Sequence, residues 1–366
     1  MTNILDYVKW RGDLPFSRDP MNPVDTLVFS ALSYIRYMGA ESASFTLRDA
    51  AQTVFAQPEP LSHARVKQDL ELLELAADSV RFGMSRLCLY REKFSTQLET
   101  QFAAMTFLLD DGSMVLAFRG TDSTLVGWKE DFNMTFQQTI PAQLLAAEYT
   151  RMAAAEIDRP MHLMGHSKGG NLAVFAAARS SPMVQSRILD VWNHDGPGFT
   201  KYLMGDPGYL AMVPKISTYI PQSSVIGMLL EHEEPYTIIR SREVSILQHE
   251  LYTWEVMGRS FIHMENTTVD SRFLDATIKT WFASMTNQER NQLVDVMYAL
   301  LASGKVEKSN DIFQLKNLRT YVKTISSDES LRKLLSTEFQ GLIEAAKHAR
   351  GQFQQKQELP EGKEEK

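Results

Sequence analysis

The chain has 366 residues, with 38 Lys plus Arg against 45 Asp plus Glu, and 44% of its residues are hydrophobic. A net charge of −7 argues against a dedicated nucleic-acid binder, which would carry a basic stripe. The single cysteine, Cys88, excludes a disulfide framework and a Cys-rich zinc site; it is expected as a small buried apolar residue.

The opening residues, MTNILDYVKWRGDLPF, carry Asp6 and Asp13. They lack an apolar run followed by a small-residue cleavage site, so they are not read as a signal peptide. Residues 1–20 are taken as an N-terminal segment. No stretch of about 18 apolar residues occurs, which predicts no membrane span and makes the cytoplasm the expected compartment. Pro23 to Tyr37 has apolar residues at helical spacing, with Asp25 ahead of the run as an N-cap. Leu47 to Gln57 and Ser62 to Ala77 also read as helices. From Gln101 the period changes to that of strands. QFAAMTFLL, Asp110-Asp111-Gly112 and SMVLAFRG predict two strands joined by a tight hairpin.

Ala142 to Ile157 predicts a helix, Met161 to Met164 a short strand, and Asn171 to Arg179 another helix. Ile188 to Asn193, Ile216 to Ile220 and Tyr236 to Arg240 predict further strands. Strands alternating with helices imply parallel strands joined by crossovers. From Asp270 the strand signal disappears. Helices are expected over Asp270 to Met285, Gln288 to Ala302, Ile312 to Thr324 and Glu329 to Ala349. The polar, mixed-charge residues 351–366 read as a disordered tail.

Gly165-His166-Ser167-Lys168-Gly169 fits the pattern G-x-S-x-G. By average glycine usage such a match arises by chance only roughly 0.1 times in a chain of this length. An apolar strand precedes it and an apolar helix follows, which is the setting the motif requires. The flanking chain passes too close for a β-carbon, so glycine stands two residues before and two after the serine. The turn lifts the Ser167 hydroxyl out of the sheet. It also aims the Lys168 N–H at the place where an oxyanion forms.

The second strand of the hairpin ends in Phe118-Arg119-Gly120-Thr121-Asp122. The stretch FRGTDSTLVGWKEDFNMTF resembles the FRG-S/T stretch and following lid segment of the class 3 (fungal-type) triacylglycerol lipases. The resemblance implies an α/β-hydrolase fold over roughly Met21 to Trp254. It also implies that Thr121 supplies a second oxyanion N–H, and it matches Trp128 and Asp131 to the Trp and Asp that often follow the lid. The whole chain is also similar to a bacterial group of lipase-like proteins. On this basis the hydrolase domain is expected over residues 21–268, with a helical extension over 269–350.

A general base is expected late in the fold, since the chain order in this fold is Ser, acid, His. His63 and His162 precede the serine, His166 lies inside the elbow, and His194 adjoins the acid candidate. Of His232, His249, His263 and His348, His249 is preferred. It follows the strand YTIIR across a loop, and Tyr252 and Trp254 stand next to wall the site; His263 is the runner-up. For the acid, the sequence departs from the lipase pattern. Those lipases place it after the next strand, but the corresponding TYIPQSSVIGMLL holds Ser223 and Ser224 and no carboxylate. Asp195, at the end of the strand after the elbow helix, is the candidate. Its alternative reading is a turn residue in Asp-Gly-Pro-Gly, and Glu231 and Glu233 are the fallbacks.

Lys168 is expected to face solvent or to tune substrate charge. The 18 methionines read as adaptable core packing. Neither a phosphate loop nor a metal-ligand spacing is present. The expectation is a serine hydrolase of a small-molecule or lipid ester, needing no cofactor. The rivals are a catalytically silent binding protein and an acyltransferase or thioesterase on the same site.

Overall fold

Eight strands lie side by side in chain order. They are β1 (Phe45–Thr46), β2 (Arg86–Ser95), β3 (Thr100–Leu108), β4 (Met114–Phe118), β5 (Met161–His166), β6 (Ile188–His194), β7 (Ile216–Pro221) and β8 (Tyr236–Ile239). The computed structural model describes residues 2–37, 39, 44–122, 124–303, 325–327 and 329–358. Neighbours from β1 to β4 run antiparallel, and those from β4 to β8 run parallel. Two compact units emerge, Met1–Asn266 and Thr267–Lys366, and the sheet belongs to the first.

Among the described residues, five α-helices precede β2: α1 (Ile4–Arg11), α2 (Pro23–Leu32), α3 (Leu47–Phe55), α4 (Lys67–Asp78) and the single turn α5 (Val80–Gly83). The crossover from β4 to β5 carries α6 (Leu125–Asn133) and α7 (Pro141–Glu156). That from β5 to β6 carries α8 (Lys168–Ala178) and α9 (Pro182–Arg187), and that from β6 to β7 carries α10 (Pro207–Met212). The sheet alternates its side chains between two apolar layers, as a period of two requires. Val115, Ala117 and Met164 pack with α1 to α4, whereas Leu116, Phe118 and Leu163 pack with α7, α8 and α10. Both faces of the central strands are therefore buried, which explains their near-continuous apolar sequences. Strand order, parallel crossovers and a serine-bearing turn after β5 make this an α/β-hydrolase fold.

Asn22, rather than Asp25, caps α2. Its side chain accepts the N–H groups of Val24 and Asp25, and Asp25 reaches back to the Asn22 N–H as the fourth member of a capping box. Asp25 is drawn inward because Arg81 grips it from Nε at 2.7 Å and Nη2 at 2.5 Å, with both side chains fully buried. The helix stops at Leu32, short of the expected Tyr37.

The second unit is helical. It comprises α11 (Val269–Ser284), α12 (Asn287–Ser303) and the long helix Glu329–Glu358, which packs on α11. The helix expected over Ile312 to Thr324, and residues 359–366 of the expected tail, lie outside the described residues, whereas residues 351–358, expected as disordered tail, continue the long helix to Glu358. No described helix is long and apolar enough to cross a membrane.

Candidate active site

Register brings the strand ends together. Phe118 of β4 pairs with Gly165 of β5, and His166 of β5 pairs with His194 of β6. The residues just past these ends therefore meet at one edge, the carboxyl edge where open α/β sheets place their sites. Here Ser167 leaves the strand at φ 59° and ψ −135°. Its N–H is tied to the His194 carbonyl at 2.9 Å. A β-carbon built on Gly165 falls 2.2 Å from the Gly169 backbone, and one on Gly169 falls 2.2 Å from the Phe118 carbonyl oxygen. Glycine at both places is a steric necessity, as the motif implies.

The Ser167 hydroxyl donates to Nε2 of His249 at 2.9 Å. Nδ1–H of the same ring donates to Oδ2 of Asp195 at 2.6 Å. A carboxylate accepts and does not donate, so this bond fixes the tautomer and leaves Nε2 free to take the serine proton. Asp195 is fully buried and held at φ 54°. Its other oxygen accepts Ser224 Oγ–H at 2.5 Å and the Gly227 N–H at 3.2 Å. Both donors come from the segment after β7, where the lipase pattern places its acid. Here the carboxylate on His249 comes from the end of β6, and the segment after β7 supplies two donors to it.

His249 ends a short 3-10 turn, Ser245–His249, that is pinned on several sides. Its own carbonyl accepts Nε2–H of His166 at 2.7 Å, and Tyr34 donates to His166 Nδ1 at 2.9 Å. The two imidazoles lie 4.6 Å apart between centroids. Burial and the neighbouring His249 hold His166 well below the usual histidine range, so it remains a neutral donor. Glu250 is clasped by Arg65 through two bonds of 2.6 and 2.8 Å. Trp254 Nε1–H donates to the Gln248 carbonyl at 2.9 Å.

Gly120 sits against the elbow: a β-carbon there falls 3.2 Å from that of Ser167. Thr121 is thus beside the serine. Its hydroxyl donates to the Asp131 carboxylate, 2.7 and 2.6 Å from the two oxygens. The half-buried Asp131 carboxyl is pushed up to about 6 by loss of water, against the pull of Lys168. The Lys168 N–H lies in the first turn of α8, where backbone donors have no intrahelical partner. The Lys168 side chain, expected toward solvent, is instead buried. Its Nζ donates to Glu130 Oε2 at 2.7 Å and to the Gln101 carbonyl and Oε1 at 2.9 Å each. Glu130, itself fully buried, compensates the charge there.

The other histidines are placed elsewhere. His263 is exposed and pairs with Ser260. His162 bonds Asp190 at 2.7 Å. His194 lies among Thr26, Ser30 and the Gly165 carbonyl, and burial pushes its pKa down to about 3. Glu231 and Glu233, the fallback acids, are exposed. Among the described residues, no group of three or more His, Cys, Asp or Glu side chains could hold a metal ion.

The Mbeg1-like family model matches residues 76–299, more than half of the sequence. The chain belongs to the Mbeg1-like family. The match spans the elbow, Asp195 and His249. No curated protein matches this Mbeg1-like chain. Solved structures similar to it include the mono- and diacylglycerol lipase of Aspergillus oryzae, with 14% identity, a TM-score of 0.42, and coverage of 73% of this chain and 88% of that one. A Rhizomucor miehei lipase in complex with its propeptide has 14% identity and a TM-score of 0.35, covering 71% and 94%. A lipase described as M37 has 10% identity and a TM-score of 0.37, covering 89% and 98%.

Several groups at this Mbeg1-like site had no signal in the sequence. Ser224 and Gly227 face Asp195 only because β7 lies beside β6. Tyr34, Arg65 and Glu130 come from distant segments, and a single sequence does not mark such long-range partners.

Proposed function

We propose that the protein is a serine hydrolase acting on a carboxylic ester through an acyl-enzyme. The carrying observation is the unbroken hydrogen-bonded chain from the Ser167 hydroxyl through His249 to Asp195, at 2.9 and 2.6 Å. Ser167 attacks the ester carbonyl as His249 Nε2 takes its proton. His249 then returns that proton to the leaving alkoxide, and Asp195 stabilises the imidazolium in between. Lys168 N–H and Thr121 N–H receive the oxyanion; each such donor is worth on the order of 3 kcal/mol in the transition state. Water repeats the sequence to release the acid, and no step calls for a cofactor.

The substrate is read as a small-molecule or lipid ester, and the compartment as the cytoplasm, in keeping with a fold that uses no disulfide. The chemistry is assigned to residues 21–268, with residues 269–350 as a helical extension. A fluorophosphonate probe tests the reading directly. Wild type is expected to label at Ser167 and to turn over part of an ester panel, while Ser167→Ala does neither. An unlabelled wild type, beside a reference esterase that labels in the same tube, removes the proposal.

A further inference from the structure

A second polar cluster lies behind Asp195 and takes no part in the proton transfers described above. Between β7 and β8 the chain forms a strap. Its Glu231 pairs backbone to backbone with Phe199, at 2.8 and 3.1 Å, and its Leu229 carbonyl accepts the Gly198 N–H at 2.8 Å. Leu230 is held at φ 67°, so the strap turns sharply where it crosses the segment after Asp195. At its far end sit His232 and Glu234, whose side chains are 7% and 0% exposed.

The partners of this pair determine where its protons lie. His232 Nδ1 is 3.0 Å from Glu234 Oε1, and Nε2 is 2.9 Å from the Gly227 carbonyl oxygen. Tyr209 receives the Glu233 N–H at 3.3 Å, which turns its own proton onto Glu234 Oε2 at 2.6 Å. Thr218 donates to Glu234 Oε1 at 2.7 Å. Both carboxylate oxygens are thus met by donors. A backbone carbonyl and an ionised carboxylate only accept. Both nitrogens of His232 therefore need a hydrogen. The other carboxylates nearby are the exposed Glu231 and Glu233 on the same strap, and Asp195 beyond Gly227.

We infer that His232 is a buried imidazolium, paired with Glu234, which anchors the Gly227 carbonyl and thereby fixes the residue whose N–H is presented to Asp195. Gly227 is thus held from both sides: its carbonyl accepts from His232 at 2.9 Å, and its N–H, on the preceding peptide unit, donates to Asp195 and to Ser224 Oγ at 3.2 and 3.0 Å. His232 is a positioning residue: it touches neither substrate nor the reacting atoms, and acts through Gly227 on the acid that orients His249. The effect on rate rests on the serine-hydrolase reading; the charge state and the clamp do not.

Ring-nitrogen NMR of the full-length, 15N-histidine-labelled protein tests this, with His232→Gln used for assignment. At neutral pH the His232 ring is expected to carry hydrogen on both nitrogens. Glu234→Gln, which spares the Tyr209 and Thr218 hydroxyls as partners, is expected to return the ring to a single hydrogen. In either variant the downfield Nδ1–H resonance of His249 is expected to shift. The kcat for a reactive ester is expected to fall about tenfold, as for a charge-assisted hydrogen bond lost at one remove, with KM little changed. A bare nitrogen on His232 in wild type overturns the charge assignment. An unmoved His249 resonance in both variants overturns the clamp. Should wild type fail to label at Ser167, the functional reading falls while both spectra still decide this one. Should His232→Gln fail to fold, Glu234→Gln alone decides the clamp and assigns the ring by its change.

Discussion

Six described residues other than glycine have positive φ, and four of them, Ser167, Asp195, Leu230 and Ser245, lie on the loops that make the site. Each such residue costs about 1–3 kcal/mol and persists only where its surroundings over-determine it. At Ser167 the surroundings are the Gly165–Gly169 contact and the bond to His194. At Asp195 they are the N–H bond to the Tyr219 carbonyl at 2.8 Å and the two donors from the strap. Asp195→Asn keeps this shape but offers His249 a partner that no longer selects the reactive tautomer. A drop in kcat of about 10⁴ is expected, measured as ester turnover with folding checked by circular dichroism. Thr121 makes the contrasting prediction. Its hydroxyl proton already goes to Asp131, so the part proposed for it in catalysis is played by the backbone N–H alone. Thr121→Val should therefore cost less than the factor of about 10² that follows loss of a true oxyanion donor, and a larger loss would show that the hydroxyl turns inward.

Among the elements, α8 and α6 are joined by one buried ion pair, Lys168 to Glu130. Glu130 also accepts the N–H of Gln101 on β3 and that of Ala142 on α7, at 3.0 and 3.1 Å. The buried Glu130 carboxylate thus ties the elbow helix to the segment that resembles a lipase lid. Lys168→Met strands that carboxylate away from water. It is expected to lower stability by about 3–5 kcal/mol, because an unpaired buried charge is worse than an uncharged contact. Adding Glu130→Gln should recover much of the loss. Urea unfolding of the two single variants and the double variant gives the coupling energy; additive losses would show that the pair is not a unit.

For the whole molecule, acid stability is linked to histidines that fold without charge. His194 is held near 3 in the fold and returns to the ordinary value of about 6.5 when unfolded. Its contribution is fully present above about 6.5 and is lost as pH falls toward the folded value, since the unfolded chain then binds a proton the folded chain refuses. The slope for one such group is about 1.4 kcal/mol per pH unit. His166, also depressed, adds to it, whereas Asp25 and Asp69, raised by burial against the pull of Arg81 and Arg65, act in the opposite sense. The clean measurement is a difference. The stability gap between wild type and His194→Gln should narrow by that slope between about pH 6 and pH 4, and a constant gap would show that His194 is charged in the fold.

Local pattern carried much of this structure in the sequence. Alternating apolar strands, the Asp-Gly hairpin, the glycine-flanked serine and the FRGT stretch depend on neighbours only a few residues apart, and steric rules at that range leave few choices. Strand β2 is not legible because Arg91, Glu92 and Lys93 break its apolar alternation, and the leading segment 1–20 holds α1, whose Ile4, Leu5, Tyr7 and Val8 are buried. Chain order and strand ends point to Asp195 and His249, but nothing local ranks Asp195 above a plain turn residue. Parallel pairing of β5, β6 and β7 stacks three strand ends, so that Ser224 and Gly227 donate to a carboxylate from the neighbouring strand. The same packing turned Lys168 inward to Glu130. Contacts of this kind join residues dozens of positions apart, and only the register of the sheet brings them within hydrogen-bond reach.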